Sequence, residues 1–254
     1  MSLTSLDLPR RTILGVQVVA LPWAEAIEAM RERIANDRFG LVTWLNAHNA
    51  NLAQESAEFS KVLNRFLVLP DGFGVDIASK MLHGAPFPAN LNGTDFIPAL
   101  LKAQISPMRV GLIGAQPGVV EEAAARFGRL APRHEVRVIS HGFFQPEDEA
   151  RILQDLEQYR PHILLVAMGV PRQELFMASR LTAEHCTLAF GVGALFDFAA
   201  GAVPRAPLLV QKLRFEWLYR LAQEPRRLWY RYIVGNPLFL LRVMRAKLRG
   251  GKGG

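Results

Sequence analysis

The sequence predicts an α/β fold: a mainly parallel sheet flanked by helices, followed by a C-terminal α-helical appendage. Three observations carry that prediction. Short apolar runs bounded by Gly, Pro and Asn alternate with segments of helical period, the rhythm of a sheet covered on both faces. Half of the 254 residues are hydrophobic, enough to bury a full core without staples. Near Arg205 the glycine-punctuated strands give way to stretches rich in leucine, arginine and aromatic residues. Residues 1–204 are therefore read as a Rossmann-like α/β domain and residues 205–254 as a basic amphipathic helical appendage.

Ile13 to Ala20 reads as the first strand. Pro22 to Ala35 follows as a helix, because Trp23, Ala26, Ile27, Met30 and Ile34 recur at helical spacing after a proline suited to a first turn. Leu41 to Leu45 and Phe66 to Leu69 are the next strands, and a helix begins near Gly72. Thr94 and Asp95 open a helix running through Ile97 to Ala103. Val110 to Ile113, Val136 to Ile139, Ile163 to Ala167 and Leu188 to Val192 complete the strands, with a helix from Pro146 to Tyr159 carrying Ile152, Leu153 and Leu156. The tail reads as three helices, Leu208 to Ala222, Arg226 to Ile233 and Pro237 to Leu248, separated by Pro225 and by a Gly235-Asn236-Pro237 break. Arg249 to Gly254 is glycine-rich and expected to be disordered.

Composition excludes several classes. A single cysteine, Cys186, rules out an internal disulfide and any multi-cysteine metal site, suits a reducing cytoplasm, and belongs in core packing. The start of the chain has neither a basic segment nor an apolar stretch, so no signal peptide is expected. The densest apolar runs, Ile163 to Val170 and Thr187 to Phe196, fall short of the ~20 residues a spanning helix needs. From Arg205 onward 12 Lys and Arg stand against Glu216 and Glu224, a charge of +10 that leaves −3 of the net +7 for the rest. That asymmetry points to an anionic partner for the tail.

The most informative local feature is Leu69-Pro70-Asp71-Gly72-Phe73-Gly74. A buried strand cannot continue through proline and two glycines, so Asp71 is presented at its carboxyl end, where open α/β sheets bind ligands. Taken alone, Asp71 is better explained as a cap for the helix beginning near Gly72, and it is the rest of the chain that shifts the balance. Thr43, Asn46, His48 and Asn49 gather after the second strand, and the polar cluster from Asn46 to Asn51 suits hydroxyl-rich ligands. Three glycine loops follow strands: Gly111 to Gly118, with Gly114 and Ala115; Gly169 to Glu174, with Gln173; and Gly191 to Ala194, with Gly193. Such loops bring backbone amides close to a phosphate, or merely permit tight turns. Gly111, Gly114 and Gly118 do not form the dinucleotide fingerprint and no P-loop lysine follows, so a nicotinamide or ATP site is not expected. His48, His83, His134, His141, His162 and His185 are scattered without ligand spacing, so no metal is expected. In the tail, Trp217, Tyr219, Trp229, Tyr230 and Tyr232 lie among Arg220, Arg226, Arg227 and Arg231, and leucines run beside Arg242, Arg245, Lys247 and Arg249. Basic residues interleaved with aromatics and leucines describe a helix in an anionic membrane interface; an RNA-binding surface is the alternative, and the Leu and Phe content favours the membrane over nucleic acid.

These pieces, in this order, resemble the WecG/TagA/CpsF glycosyltransferase family, glycosyltransferase family 26, from about Gly15 to Tyr232. The resemblance rests on Leu45-Asn46, Pro70 to Gly74, Asn92-Gly93-Thr94-Asp95, Gly169 to Glu174, Gly191 to Asp197, Arg205-Ala206-Pro207, Glu216 to Leu221 and Glu224 to Arg227. It implies inverting, metal-independent transfer of a hexose from a UDP-sugar to a sugar on a polyprenyl diphosphate at the cytoplasmic membrane face, in surface polysaccharide synthesis. The UDP-sugar is then a substrate and no cofactor is expected. By that resemblance Asp71 looks like the general base. Thr43, Asn46, Gly114, Ala115, Gly169, Gln173, Gly191 and Gly193 would serve the donor, and Asn92, Asp95, Arg220, Arg227 and Arg231 the acceptor or its diphosphate. Members that transfer N-acetylmannosamine usually carry Thr-Leu-Asn at the second strand end and an arginine where this chain has Asn90. The Thr43-Trp44-Leu45-Asn46 and Asn90-Leu91-Asn92-Gly93-Thr94-Asp95 forms look closer to the branch that adds glucose, and the reading leans to a glucosyl donor. The rival class is a nonenzymatic membrane-associated or RNA-binding module on a nucleotide-binding fold. Exposed tail leucines would also favour a self-associated form away from a membrane.

Overall fold

The central strands form where the sequence supplies a short apolar run closed by a turn, the edge strands β1 and β6 being more polar, and among the described residues eight strands build one sheet in the order β1-β2-β4-β3-β8-β7-β5-β6. The computed structural model describes residues 8–207, 210 and 216–250. The glycine-rich end beyond Gly250 and most of Leu208 to Phe215 lie outside the described residues. The strands are β1 (Arg10–Ile13), β2 (Val16–Val19), β3 (Gly40–Leu45), β4 (Phe66–Pro70), β5 (Arg109–Gly114), β6 (Glu135–Ser140), β7 (Ile163–Ala167) and β8 (Leu188–Gly191). All pairings are parallel except β1 with β2. Strands β3, β4, β7 and β8 are buried along their whole length, as continuous apolar runs must be when helices cover both faces.

Ile13 to Ala20 is not one strand. The chain reverses at Leu14 and Gly15, whose φ values of 47° and 82° make a two-residue turn between β1 and β2. A positive φ at a leucine is costly, so no turn residue marks the first position and the reversal is hidden in an apolar run.

The helices are α1 (Trp23–Ala35), α2 (Ala47–Glu55), α3 (Ala57–Leu63), α4 (Phe73–His83), α5 (Gly93–Ala103), α6 (Val119–Leu130), α7 (Glu149–Tyr159), α8 (Arg172–Arg180), α9 (Leu195–Ala199), α10 (Glu216–Gln223), α11 (Pro225–Trp229) and α12 (Gly235–Gly250). One face of the sheet is covered by α1, α5, α6 and α9, through residues such as Met30, Phe96, Phe127 and Phe196. The other is covered by α2, α3, α4, α7, α8 and α12, with Cys186 buried among them.

The tail differs from the expectation in one respect: Gly235-Asn236-Pro237 does not break it. A π-helical turn over Tyr230–Val234 joins α11 to α12, and the Gly235 amide donates to the Tyr230 carbonyl. The wider turn absorbs the missing amide and bulk of Pro237. Asn51 Nδ2 donates to the Gly235 carbonyl at 2.8 Å. Helix α12 then lies on α2 and α4, with Phe239 and Val243 fully buried. The Phe239 ring packs over Gly74, where an added Cβ would meet it at an ordinary contact distance of 3.7 Å. Arg242 fastens the helix to Asn51 at 3.0 Å and to Glu55 at 2.9 Å.

Candidate active site

The carboxyl ends of β3, β4, β7 and β8 meet at the middle of the sheet, so the loops leaving them share one rim. Strand β4 ends at Pro70, whose carbonyl accepts from the Leu91 amide, while the Asp71 amide donates to the Leu45 carbonyl. Gly72 turns the chain at φ 89° and itself occupies the N-cap position of α4, so Asp71 stands one residue before the cap. The Asp71 carboxylate instead faces Asn46, whose Nδ2 lies 3.3 Å away. Asn46 Oδ1 meanwhile caps α2 by accepting from the Asn49 amide at 3.1 Å, which fixes which end of the amide points to Asp71. Burial pushes the Asp71 carboxyl above its ordinary value, against the Asn46 bond and the charges of Arg231 and Arg220.

Two cavities share this carboxylate in their linings. The first, of about 700 Å³, is lined by Thr43, Asn46, Asp71, Gly169, Gln173, Gly191 and Gly193 from the sheet rim and by Arg220, Arg227 and Arg231 from the tail. The second, of about 650 Å³, shares Asn46, Asp71, Arg220 and Arg231 and continues to Phe73, Asn90, Asn92, Trp217, Tyr232 and Leu240. Asp71 thus borders a glycine-lined space and an aromatic-lined one. The arginines are held ready for anions: Arg220 stacks over Phe198 at 4.9 Å, and its Nε is buried with no hydrogen-bond partner. Arg231 lies 5.8 Å from the Tyr232 ring, and burial lowers its pKa. His48 joins both linings; burial, then the nearby Arg231 charge, bring it down to about 4, so it is neutral near pH 7.

Three expected site residues stand apart from the two cavity linings. Gly114 and Ala115 end β5, where the Ala115 amide donates to the Ala167 carbonyl at 2.8 Å, and a Cβ at Gly114 would come within 2.3 Å of that oxygen. Their conformation serves strand packing. Asp95 is held in a two-pronged ion pair by Arg205, at 2.6 and 2.8 Å, and accepts from Asn92 at 3.0 Å. Burial would raise the Asp95 carboxyl, but Arg205 and Asn92 more than reverse it. Asn92 caps α5 and still reaches the second cavity.

With this geometry in view, a family model for glycosyl transferases of the WecG/TagA/CpsF family matches residues 11–253. The chain belongs to that family. A Bacillus spizizenii protein named N-acetylglucosaminyldiphosphoundecaprenol N-acetyl-β-D-mannosaminyltransferase is 30% identical over 202 residues, 79% of this chain and 77% of the relative. A Staphylococcus aureus protein of the same name is 27% identical over 243 residues, 92% of each chain.

In this WecG/TagA/CpsF glycosyl transferase, sequence reasoning assigned no role to two acidic residues at the rim. Glu174 is fully buried and accepts from the Thr43 hydroxyl at 2.7 Å and from Gln173 Nε2 at 2.8 Å. The available signal was its phase, one turn before the buried Met177 and Ala178 on α8. Asp197 lines the first cavity; burial raises its carboxyl while Arg227 opposes.

Proposed function

We propose that this glycosyl transferase moves a hexose from a UDP-sugar, with inversion, onto a sugar carried on a polyprenyl diphosphate, with Asp71 as the general base. The observation that carries the reading is that Asp71 lines both cavities, with a raised carboxyl pKa and the Asn46 amide beside it. In a direct displacement the base takes the proton of the acceptor hydroxyl while that oxygen attacks the anomeric carbon. The bond from that carbon to the UDP oxygen breaks, and UDP leaves with the electron pair. The glycine-lined cavity, with Gln173 and the Gly191 to Gly193 turn, suits the donor. The aromatic-lined cavity suits the acceptor sugar, and Arg220 and Arg231, common to both, suit its diphosphate and the departing charge. In this reading the arginines and loop amides do the electrostatic work, and neither a metal nor a cofactor takes part.

For the donor sugar, Asn90 and the Thr43-Trp44-Leu45-Asn46 strand end support glucose. The names of the two relatives support N-acetylmannosamine as the second reading. The enzyme is further read as peripheral on the cytoplasmic membrane face, where a polyprenyl acceptor resides. No helix among the described residues is long and apolar enough to cross a membrane. Trp229, Ile233, Leu241, Met244 and Leu248 are nevertheless exposed along the tail, beside Arg245, Lys247 and Arg249.

The test is UDP release by the purified protein with UDP-glucose or UDP-N-acetylmannosamine, each with matching sugar-diphosphate-polyprenol acceptors and EDTA present. Acceptor-dependent release from one donor is expected. Silence with every pair in a folded protein would overturn the proposal.

A further inference from the structure

We infer that Glu174 is a positioning residue: from behind the donor-side wall it fixes the hydrogen-bonding polarity of Thr43 and Gln173, so that Thr43 can only accept from a bound hydroxyl and Gln173 can offer it one N–H. The inference rests on the reading of the first cavity as the donor side.

Glu174 does not line that cavity, whereas Thr43 and Gln173 both do. It is 0% exposed, and its Oε1 takes both the Thr43 hydroxyl and one Gln173 N–H, at 2.7 and 2.8 Å. Gln173 Oε1 in turn accepts from the Gly193 amide at 3.1 Å. One relay therefore ties β3, α8 and the turn after β8 at the centre of the sheet. The proton count follows from the groups themselves. Thr43 has a single hydroxyl proton, committed to Glu174, and Gln173 has two amide protons, of which one is committed.

A carboxylate is an expensive way merely to fill space. Glu174 Oε2 is buried without a hydrogen-bond partner, and burial raises its carboxyl against the bonds from Gln173 and Thr43. What an acceptor-only oxygen supplies, and an apolar or purely donating side chain does not, is a fixed direction for both neighbours. The surroundings are built to hold the pair: a Cβ at Gly191 would come within 2.9 Å of Gln173 Nε2 and 3.3 Å of Glu174 Oε1.

The decisive variant is E174M, which keeps the length of the side chain but removes the acceptor. Without substrate, the side-chain amide resonances of Gln173, assigned by their loss in Gln173→Ala, should show slow hydrogen exchange in the wild type and fast exchange in E174M. In steady-state kinetics E174M should raise KM for the UDP-sugar about tenfold with kcat changed less, the factor that corresponds to roughly 1.4 kcal/mol. Thr43→Val should give a similar KM defect, and the double variant should be little worse than either single one. Unchanged Gln173 exchange in folded E174M, or fully additive effects, would overturn the inference. If E174M does not fold, Thr43→Val decides alone, and an unaltered KM would overturn it. Should the wild type transfer no sugar, the proposed reaction fails while the Gln173 exchange still judges Glu174.

Discussion

At Asp71 the same burial that suits a base works against the fold, and this separates activity from stability. Its carboxyl is raised in the folded protein, so the unfolded chain ionises first, near the ordinary value of about 3.9. Above that pH the charged form disfavours folding. Asp71→Asn should therefore abolish transfer, keep UDP-sugar binding, and raise Tm at neutral pH; a lower Tm would restore a structural role for the carboxylate. The wild-type rate should fall as pH drops through a value above the usual carboxylate range. His48 has the opposite consequence. Its folded pKa is lowered to about 4, so the unfolded chain takes up its proton first, near 6.5, and stability is lost as pH falls from there towards 4. His48→Gln should flatten that part of the Tm profile, with no change expected above pH 7. Asp71 was legible because Pro70 and Gly72 punctuate the chain on either side of it. The Glu174 contact to Thr43 spans 131 residues and leaves no local trace, and Asp95 read as a ligand group because its partner, Arg205, lies 110 residues away in sequence.

Elements were legible where one physical signal acted alone. Strands β3, β4, β7 and β8 are apolar runs ended by Pro, Gly or Asn, and the structure places them within a residue or so of where those signals stop. The β1–β2 hairpin was not legible, since its turn carries Leu14 where Asn or Asp would announce it. The tail was half legible: its helical period is plain, but Phe239 and Val243 face the core while Leu241, Met244 and Leu248 face out, and composition alone cannot sort two apolar faces. That sorting has a measurable consequence. Phe239 is fully buried and also borders the second cavity, so Phe239→Ala should lower stability by about 3–5 kcal/mol in urea unfolding. It should also weaken acceptor use more than donor binding. Leu241→Ala, on the outer face, should change stability by well under that amount.

Across the whole molecule, charge and apolar surface are segregated: the tail carries +10, the remainder −3, and the exposed apolar residues from Trp229 to Leu248 continue the segment whose Arg220, Arg227 and Arg231 reach the site. A surface that lowers into anionic headgroups would bring the aromatic-lined cavity to the membrane, where a polyprenyl acceptor must present its sugar. Deleting everything after about Pro204 is a poor test, because it also strips Phe239 and Val243 from the core and Arg220 and Arg231 from the cavities. Arg245, Lys247 and Arg249 are exposed and belong to neither lining, so reversing all three to Glu isolates the membrane term. Each basic residue near an anionic surface contributes roughly 1 kcal/mol, so the triple variant should bind vesicles containing phosphatidylserine at least about a hundredfold more weakly. Wild-type binding should itself fall with rising salt. Transfer to a short, water-soluble sugar-diphosphate acceptor should be spared, while transfer to acceptor embedded in vesicles should drop with the binding. Equal vesicle binding by the triple variant and the wild type would remove the membrane from the account of the tail and leave its arginines to the diphosphates alone.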